Sequence, residues 1–122
     1  MKSNDINDRL LGMIGLAARA RMLAAGTELS CDSVRSGNAR LLMVAHDASA
    51  NTKKRVFNCA RYYEVACYEI PIGQNDLGHA IGKKGVTSAL AVTDSNMTKG
   101  IEKLLKLINE QTSEAVSKPR EV

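Results

Sequence analysis

The segment that most constrains this chain is Leu41-Leu42-Met43-Val44-Ala45. Five consecutive apolar residues, bounded by turn-forming residues and lacking the alternation of a half-solvated strand, read as a strand covered on both faces. Such a strand needs a layer of structure on each side of its sheet. Two further runs fit that sheet: Val65 to Ile70, stopped by Pro71 and Gly73, and Ala89-Leu90-Ala91-Val92-Thr93. A short extended piece, Leu23 to Ala25, supplies a fourth strand before a break at Gly26.

Helical spacing fills the intervals. Ile6, Leu10, Met13, Ile14 and Ala17 predict an opening amphipathic helix ending near Met22. Gly12 and Gly15 weaken it, and close packing against a neighbour is the expected compensation. A second helix is expected from Thr27, with its hydroxyl as cap, to Ser36-Gly37-Asn38. Ser49 or Asn51 can cap a third, with Val56, Ala60 and Tyr63 on one side and Lys54, Asn58 and Arg61 on another. Gln74 to Gly82 predicts a short helix. Asp94 or Ser95 caps the most regular one, where Ile101, Leu104, Leu105 and Ile108 fall at i, i+3, i+4 and i+7.

Strands alternating with helices predict an α/β fold, a three-layer α/β/α sandwich with a small, four-stranded, mostly parallel or mixed sheet. At 122 residues the chain can bury one core but not two. A single domain is expected over residues 4–110, with a disordered charged tail at 111–122 where the apolar period fades. Aromatics are only 3% of the chain, with no Trp and a single Phe57, so the core must be aliphatic.

The formal net charge of +4 fits a polyanionic partner, and residues 50–99 hold most of the excess, with seven basic and four acidic side chains. Cys31, Cys59 and Cys67 are odd in number and lack CxxC spacing, which argues against a disulfide framework and a zinc site and for a reducing compartment. The first residues lack the apolar stretch of a signal peptide, and no run approaches membrane-spanning length. A cytoplasmic protein with no membrane, metal or cofactor association is expected, as a monomer.

Leu77-Gly78-His79-Ala80-Ile81-Gly82-Lys83-Lys84-Gly85 joins a short helix, a glycine exit and two lysines ahead of a strand. Glycine lets backbone approach a ligand closely, and lysines attract phosphate. By itself the segment reads first as a helix cap and a solvated turn. Gly26-Thr27-Glu28 lies at a helix start, where free N–H groups can receive a phosphate or a base edge, although a capping turn explains it equally. Lys53-Lys54-Arg55 places cations where the helix dipole disfavours them, which suits a secondary phosphate contact or a solvated face.

These pieces, together with Val44-Ala45-His46-Asp47 at a strand end, stand in the order and approximate separation of one family. Over roughly residues 6–108 the chain resembles the kink-turn-binding ribosomal-protein superfamily, which takes in the archaeal seventh and eukaryotic thirtieth large-subunit proteins and their bacterial YlxQ-like relatives. Gly15-Leu16-Ala17, followed by Arg19 and Arg21, is similar to the bacterial branch. The resemblance implies a non-catalytic RNA-binding protein that recognises a structured, kink-turn-like RNA, ribosomal or ribosome-associated. It also implies that Gly26, Thr27 and Glu28 face sheared G·A pairs, that Asp47 belongs to the same face, and that Gly82, Lys83, Lys84, Gly85 and Val86 cover splayed nucleotides. Arg19 and Arg21 are implied to stand near the Gly26 turn. Three positions depart from the family pattern: Thr27 where the standard binders have Asn, Asp32 where a lysine is expected, and Lys83-Lys84-Gly85 where apolar residues usually follow Gly82.

Asp32 and the mixed charge of the last helix motivate a second reading, a protein-interaction module of the same fold without tight RNA binding. Catalysis has little support. His46-Asp47 could be a base with its orienting carboxylate and Cys59 or Cys67 a nucleophile, yet no spacing demands it. Ile81 to Gly85 matches the GXXG loop of KH domains, but that loop must lead into a helix, and Val86 to Thr93 reads as strand.

Overall fold

In the computed structural model, which describes residues 2–111 and their side chains from 6 to 110, the apolar run Leu41–Ala45 forms a strand whose five residues are all buried. In chain order the elements are α1 (Lys2–Arg19), β1 (Leu23–Ala25), α2 (Thr27–Arg35), β2 (Leu41–Ala45), α3 (Ala50–Tyr63), β3 (Ala66–Ile70), α4 (Gln74–Ala80), β4 (Ala89–Val92) and α5 (Ser95–Gln111). The charged tail expected from residue 111 lies, beyond Gln111, outside the described residues.

The strands take the order β1-β4-β2-β3. β2 and β3 are parallel, from Leu41 opposite Ala66 to Ala45 opposite Ile70, whereas β4 runs antiparallel to both β1 and β2. The α/β sandwich expected from the sequence is present with a mixed sheet. The other expectation, a mostly parallel one, is corrected by the connection before β4. There α4 and its following loop return the chain to the end of the sheet it had left, where the Thr87 N–H donates to the Gln74 carbonyl at 3.1 Å. A strand starting at that end must run antiparallel to β2.

Helices cover both faces: α1 packs on both α4 and α5, and α2 packs on α3. Leu10, Ile14, Leu42, Leu90, Ile101 and Leu105 belong to a single aliphatic core, and burying each such side chain stabilises the fold by about 1.5–3 kcal/mol. The i, i+3, i+4 stripe of α5 faces this core as its spacing predicts. Small residues set the helix spacing. A Cβ on Gly15 would lie 3.2 Å from the Ala80 carbonyl oxygen, and Gly100 leaves room for the Met13 side chain. Gly12 is exposed and a Cβ there would meet nothing within 4 Å, so packing compensates for Gly15 alone.

Helix ends differ from the sequence expectation at defined points. α1 stops at Arg19, short of Met22, because Arg21 takes a left-handed conformation (φ 61°) and the Met22 N–H closes back on the Ala17 carbonyl at 2.8 Å. Thr27 is the first residue of α2 and does not cap it; the cap position is Gly26, which offers no side-chain hydrogen bond. Ser49 caps α3, accepting from the Thr52 N–H at 3.1 Å, and Asp94 caps α5, accepting from the Met97 N–H at 2.8 Å. Val65 closes α3 through its N–H to the Ala60 carbonyl, so β3 begins one residue later than expected. α4 ends at Ala80, two residues before Gly82, which is its left-handed closing residue (φ 82°).

The core fixes how stability responds to alkali. Burial pushes the Cys67 thiol up to about 12, and burial followed by the neighbouring Cys59 thiol pushes Cys31 up to about 11. Burial and donation to Glu102 Oε2 at 3.0 Å raise the Tyr68 hydroxyl to about 12. The folded state thus holds these protons more tightly than the unfolded chain, whose thiols ionise near 8.5 and tyrosines near 10. The resulting stabilisation is complete below those values and is lost as the pH climbs toward 11–12. Thermal midpoints should fall between pH 8 and pH 11, and Cys67→Ala should flatten part of that fall. An unchanged slope in Cys67→Ala would exclude this thiol as a source.

Candidate nucleic-acid interface

β1 and β2 are both antiparallel to β4, and β3 is parallel to β2, so β1, β2 and β3 all finish at one end of the sheet, where β4 begins. This topology gathers segments far apart in sequence. The Gly26 N–H donates to the Ala89 carbonyl at 2.9 Å, and the Ala45 N–H donates to the Ser88 carbonyl at 2.8 Å. The Gly26 turn, the end of β2 and the end of the 82–88 loop therefore form one continuous surface.

Gly26 adopts φ 101° and ψ 156°, a region closed to residues with a Cβ, and carries the chain directly from β1 into α2. With no side-chain cap, the first N–H groups of α2 face outward beside Thr27 and Glu28. Glu28 is exposed, and its carboxylate accepts from Arg55 Nη1 at 2.6 Å. That hydrogen bond and the charge behind it hold the Glu28 carboxyl below the usual carboxylate range. The cations of the Lys53-Lys54-Arg55 run are thus largely answered by acids: Arg55 by Glu28, and Lys53 by Glu69 at 3.4 Å. Sequence reading treated the run as a patch of its own and missed Arg55 as the partner that orients Glu28.

Asp47 is at this end too, committed to building it. Its Oδ1 accepts the Gln74 N–H at 2.9 Å, its carbonyl accepts Gln74 Nε2 at 3.2 Å, and Gln74 Oε1 receives the Ser88 hydroxyl. One side chain, Gln74, so ties the β2 end to the start of β4. Gly78 has a comparable role that the glycine spacing hinted at without revealing. A Cβ on it would overlap the Gly85 carbonyl oxygen and come within 3.1 Å of the Gly85 carbonyl carbon, because the 82–86 loop folds back over α4. Lys83 N–H bonds the Gly78 carbonyl at 2.8 Å, leaving Lys83, Lys84, Gly85 and Val86 exposed, Val86 at 58%.

The two arginines separate. Arg19 lines a groove of about 410 Å³ with Gly15, His79 and Gly82, at the end of α4. Arg21 precedes β1 and stands at the opposite end of that strand from Gly26, lining a different groove with Asp32 and Arg40. The implied nearness of Arg21 to the Gly26 turn is absent. Asp32, the acidic departure, is ion-paired with Arg35. Of the groups considered for catalysis, Asp47 is engaged as described, and Cys67, pushed up to about 12, is protonated at neutral pH.

The sequence profile of the ribosomal protein L7Ae/L30e/S12e/Gadd45 family matches residues 8–102. The chain is 35% identical over 98 residues to the RNA-binding protein YlxQ of Enterococcus faecium, covering 80% of this chain and 92% of that one. It is 36% identical over 93 residues to the RNA-binding protein YlxQ of Bacillus subtilis, covering 76% and 91%. Among solved structures it is similar to a Bacillus halodurans protein of unknown function (TM-score 0.73, 30% identity, 80% of this chain and 96% of that chain). A Giardia lamblia 15.5 kD RNA-binding protein shares the fold (TM-score 0.67, 19% identity, 87% and 89%).

Proposed function

Because the chain belongs to the ribosomal protein L7Ae/L30e/S12e/Gadd45 family, we propose that it binds a structured, kink-turn-like RNA without catalysing a reaction, in the cytoplasm and in association with the ribosome. The observation that supports this most directly is the pairing of Gly26 with Ala89, which brings the Gly26 turn beside the end of the 82–88 loop; the Gly26-Thr27-Glu28 turn and the Gly82–Val86 loop are then two lips of the proposed surface. One lip offers outward N–H groups and a fixed carboxylate for base edges. The other offers Lys83 and Lys84 for phosphates and Val86 for a base face. Thr27 in place of Asn shortens the reach of the first lip, and the lysines make the second more electrostatic than apolar. The pairing of Asp32 with Arg35 removes a free negative charge from α2, which weakens the case for a pure protein-interaction module.

Titration against a kink-turn RNA, the same RNA with its G·A pairs replaced, and a plain duplex, across a salt series, tests the reading. The kink-turn RNA should bind tightest; equally feeble binding of all three would overturn the proposal. Changing Lys83 and Lys84 to Gln should reduce the slope of log affinity against log salt by about two. If the slope is unmoved, the lysines touch no phosphate.

A further inference from the structure

The opposite end of the sheet, where β1, β2 and β3 begin and β4 finishes, has a chemistry of its own. Two grooves meet there. One, about 680 Å³, is lined by Arg21, Ser36, Asn38 and Arg40; the other, about 420 Å³, by Arg40, Tyr63 and Glu64. Arg40 belongs to both. Backbone bonds fix the arginines on either side of the end of β4: the Arg40 N–H donates to the Val92 carbonyl at 2.7 Å, and the Thr93 N–H to the Met22 carbonyl at 2.9 Å.

Three observations set this end apart. Among the described residues neither Arg21 nor Arg40 has an ion-pair partner, although both are exposed. Arg21 holds a left-handed conformation that costs a residue with a Cβ about 1 kcal/mol or more, at a helix-closing position that glycine fills after α2 and α4. Half of the four aromatic residues of the chain, Tyr62 and Tyr63, stand side by side at the end of α3, 79% and 41% exposed, their rings 4.9 Å apart and edge to face. Neither ring belongs to the aliphatic core.

We propose that this end of the sheet is a second RNA-binding face, one that takes a short single-stranded segment. Arg21 and Arg40 hold successive phosphates, the Tyr63 ring, braced by Tyr62, stacks on a base, and Ser36 and Asn38 meet sugar or base edges. Glu64 lines the second groove, and Asp32, ion-paired with Arg35, lines the first, so the phosphate path follows the two arginines and leaves the base side toward α3. Grooves of this size accommodate about one nucleotide each. The strands between the two ends are three to five residues long, at about 3.3 Å per residue, so a strand leaving a structured RNA at the first face could reach the second. This face shares with the first only the class of ligand.

The test uses a fluorescein-labelled single-stranded RNA decamer and the blunt kink-turn RNA, each titrated against the full chain by polarisation. Arg40→Gln and Tyr63→Ala, both at exposed side chains, should each weaken decamer binding about tenfold and leave kink-turn binding within about twofold. Arg21→Gly, which relieves the left-handed strain, should keep or raise the thermal midpoint while also weakening the decamer. Glu28→Ala should leave the decamer untouched. A decamer that does not bind, or whose binding is insensitive to Arg40 and Tyr63, overturns the second face; if those changes instead abolish self-association seen in sedimentation, the face docks protein. Loss of kink-turn discrimination with intact, Arg40-dependent decamer binding would overturn the first reading and leave this one standing.

Discussion

A Gly78→Ala protein should keep the sheet, lose about 1–3 kcal/mol of stability, and bind kink-turn RNA at least tenfold more weakly. The site allows no quiet accommodation. The added Cβ overlaps the Gly85 carbonyl oxygen, which is backbone and cannot swing aside as a side-chain tip would. Helix propensity pulls the other way by about 1 kcal/mol, so the net cost measures how far the loop must be pushed off α4. Once displaced, Lys83 loses its N–H bond to the Gly78 carbonyl, and both lysines leave the positions proposed for their phosphate contacts. Gly12→Ala is the control: it lies on the exposed face of α1 with nothing within 4 Å, and should raise stability by about 1 kcal/mol without touching affinity. A thermal melt and a single RNA titration of each variant suffice. Amide shifts confined to residues 83–88 with unaltered affinity would show that the loop is no part of the RNA face.

The same contrast between steric fact and sequence signal explains what could be read in advance. Four of the helices close through a left-handed residue followed by a return N–H bond. After α2 and α4 that residue is Gly37 or Gly82, and both ends were anticipated to within two residues. After α1 and α3 it is Arg21 or Glu64, which announce nothing: α1 was expected to run about three residues further, to near Met22, and β3 was expected one residue early, at Val65. Apolar periodicity gave the element order, the double-sided burial of β2 and the core face of α5, because all three depend on local spacing. Strand direction depends on where a loop returns, and nothing in Gln74 or Thr87 betrays that they meet.

The site was legible in the same partial way. Glycine and charge marked both lips of the first face, and the resemblance supplied their pairing. The contacts that hold those lips, Asp47 with Gln74 and Gly78 with Gly85, span 27 and 7 residues and connect groups whose types are common in turns. Arg21 was named for one end of the sheet and stands at the other, since a three-residue strand separates it from Gly26 and puts the two residues at opposite ends.

Glu28 offers the sharpest functional prediction. Its side chain is exposed and its ion pair with Arg55 spans α2 and α3 at the surface, where such pairs add little to stability because water and salt screen them. Glu28→Ala should therefore leave the thermal midpoint near the parent value, yet, on the proposed reading, weaken kink-turn RNA at least tenfold, because its carboxylate is the acidic acceptor that the Gly26 turn would offer to base amino groups. Arg55→Gln should weaken binding less, since the carboxylate remains but is no longer aimed. The two variants also differ in their response to acid. Arg55, first through its hydrogen bond and then through its charge, keeps the Glu28 carboxyl below its usual range, so parental binding should persist in mild acid. Without Arg55 the carboxyl returns toward the ordinary carboxylate range, and affinity should begin to fall at higher pH than in the parent. Glu28→Ala, measured at each pH, subtracts the protonation of the RNA itself. Parallel pH profiles for parent and Arg55→Gln would mean that Glu28 is not read by the RNA, and that the Gly26 turn binds through its backbone alone.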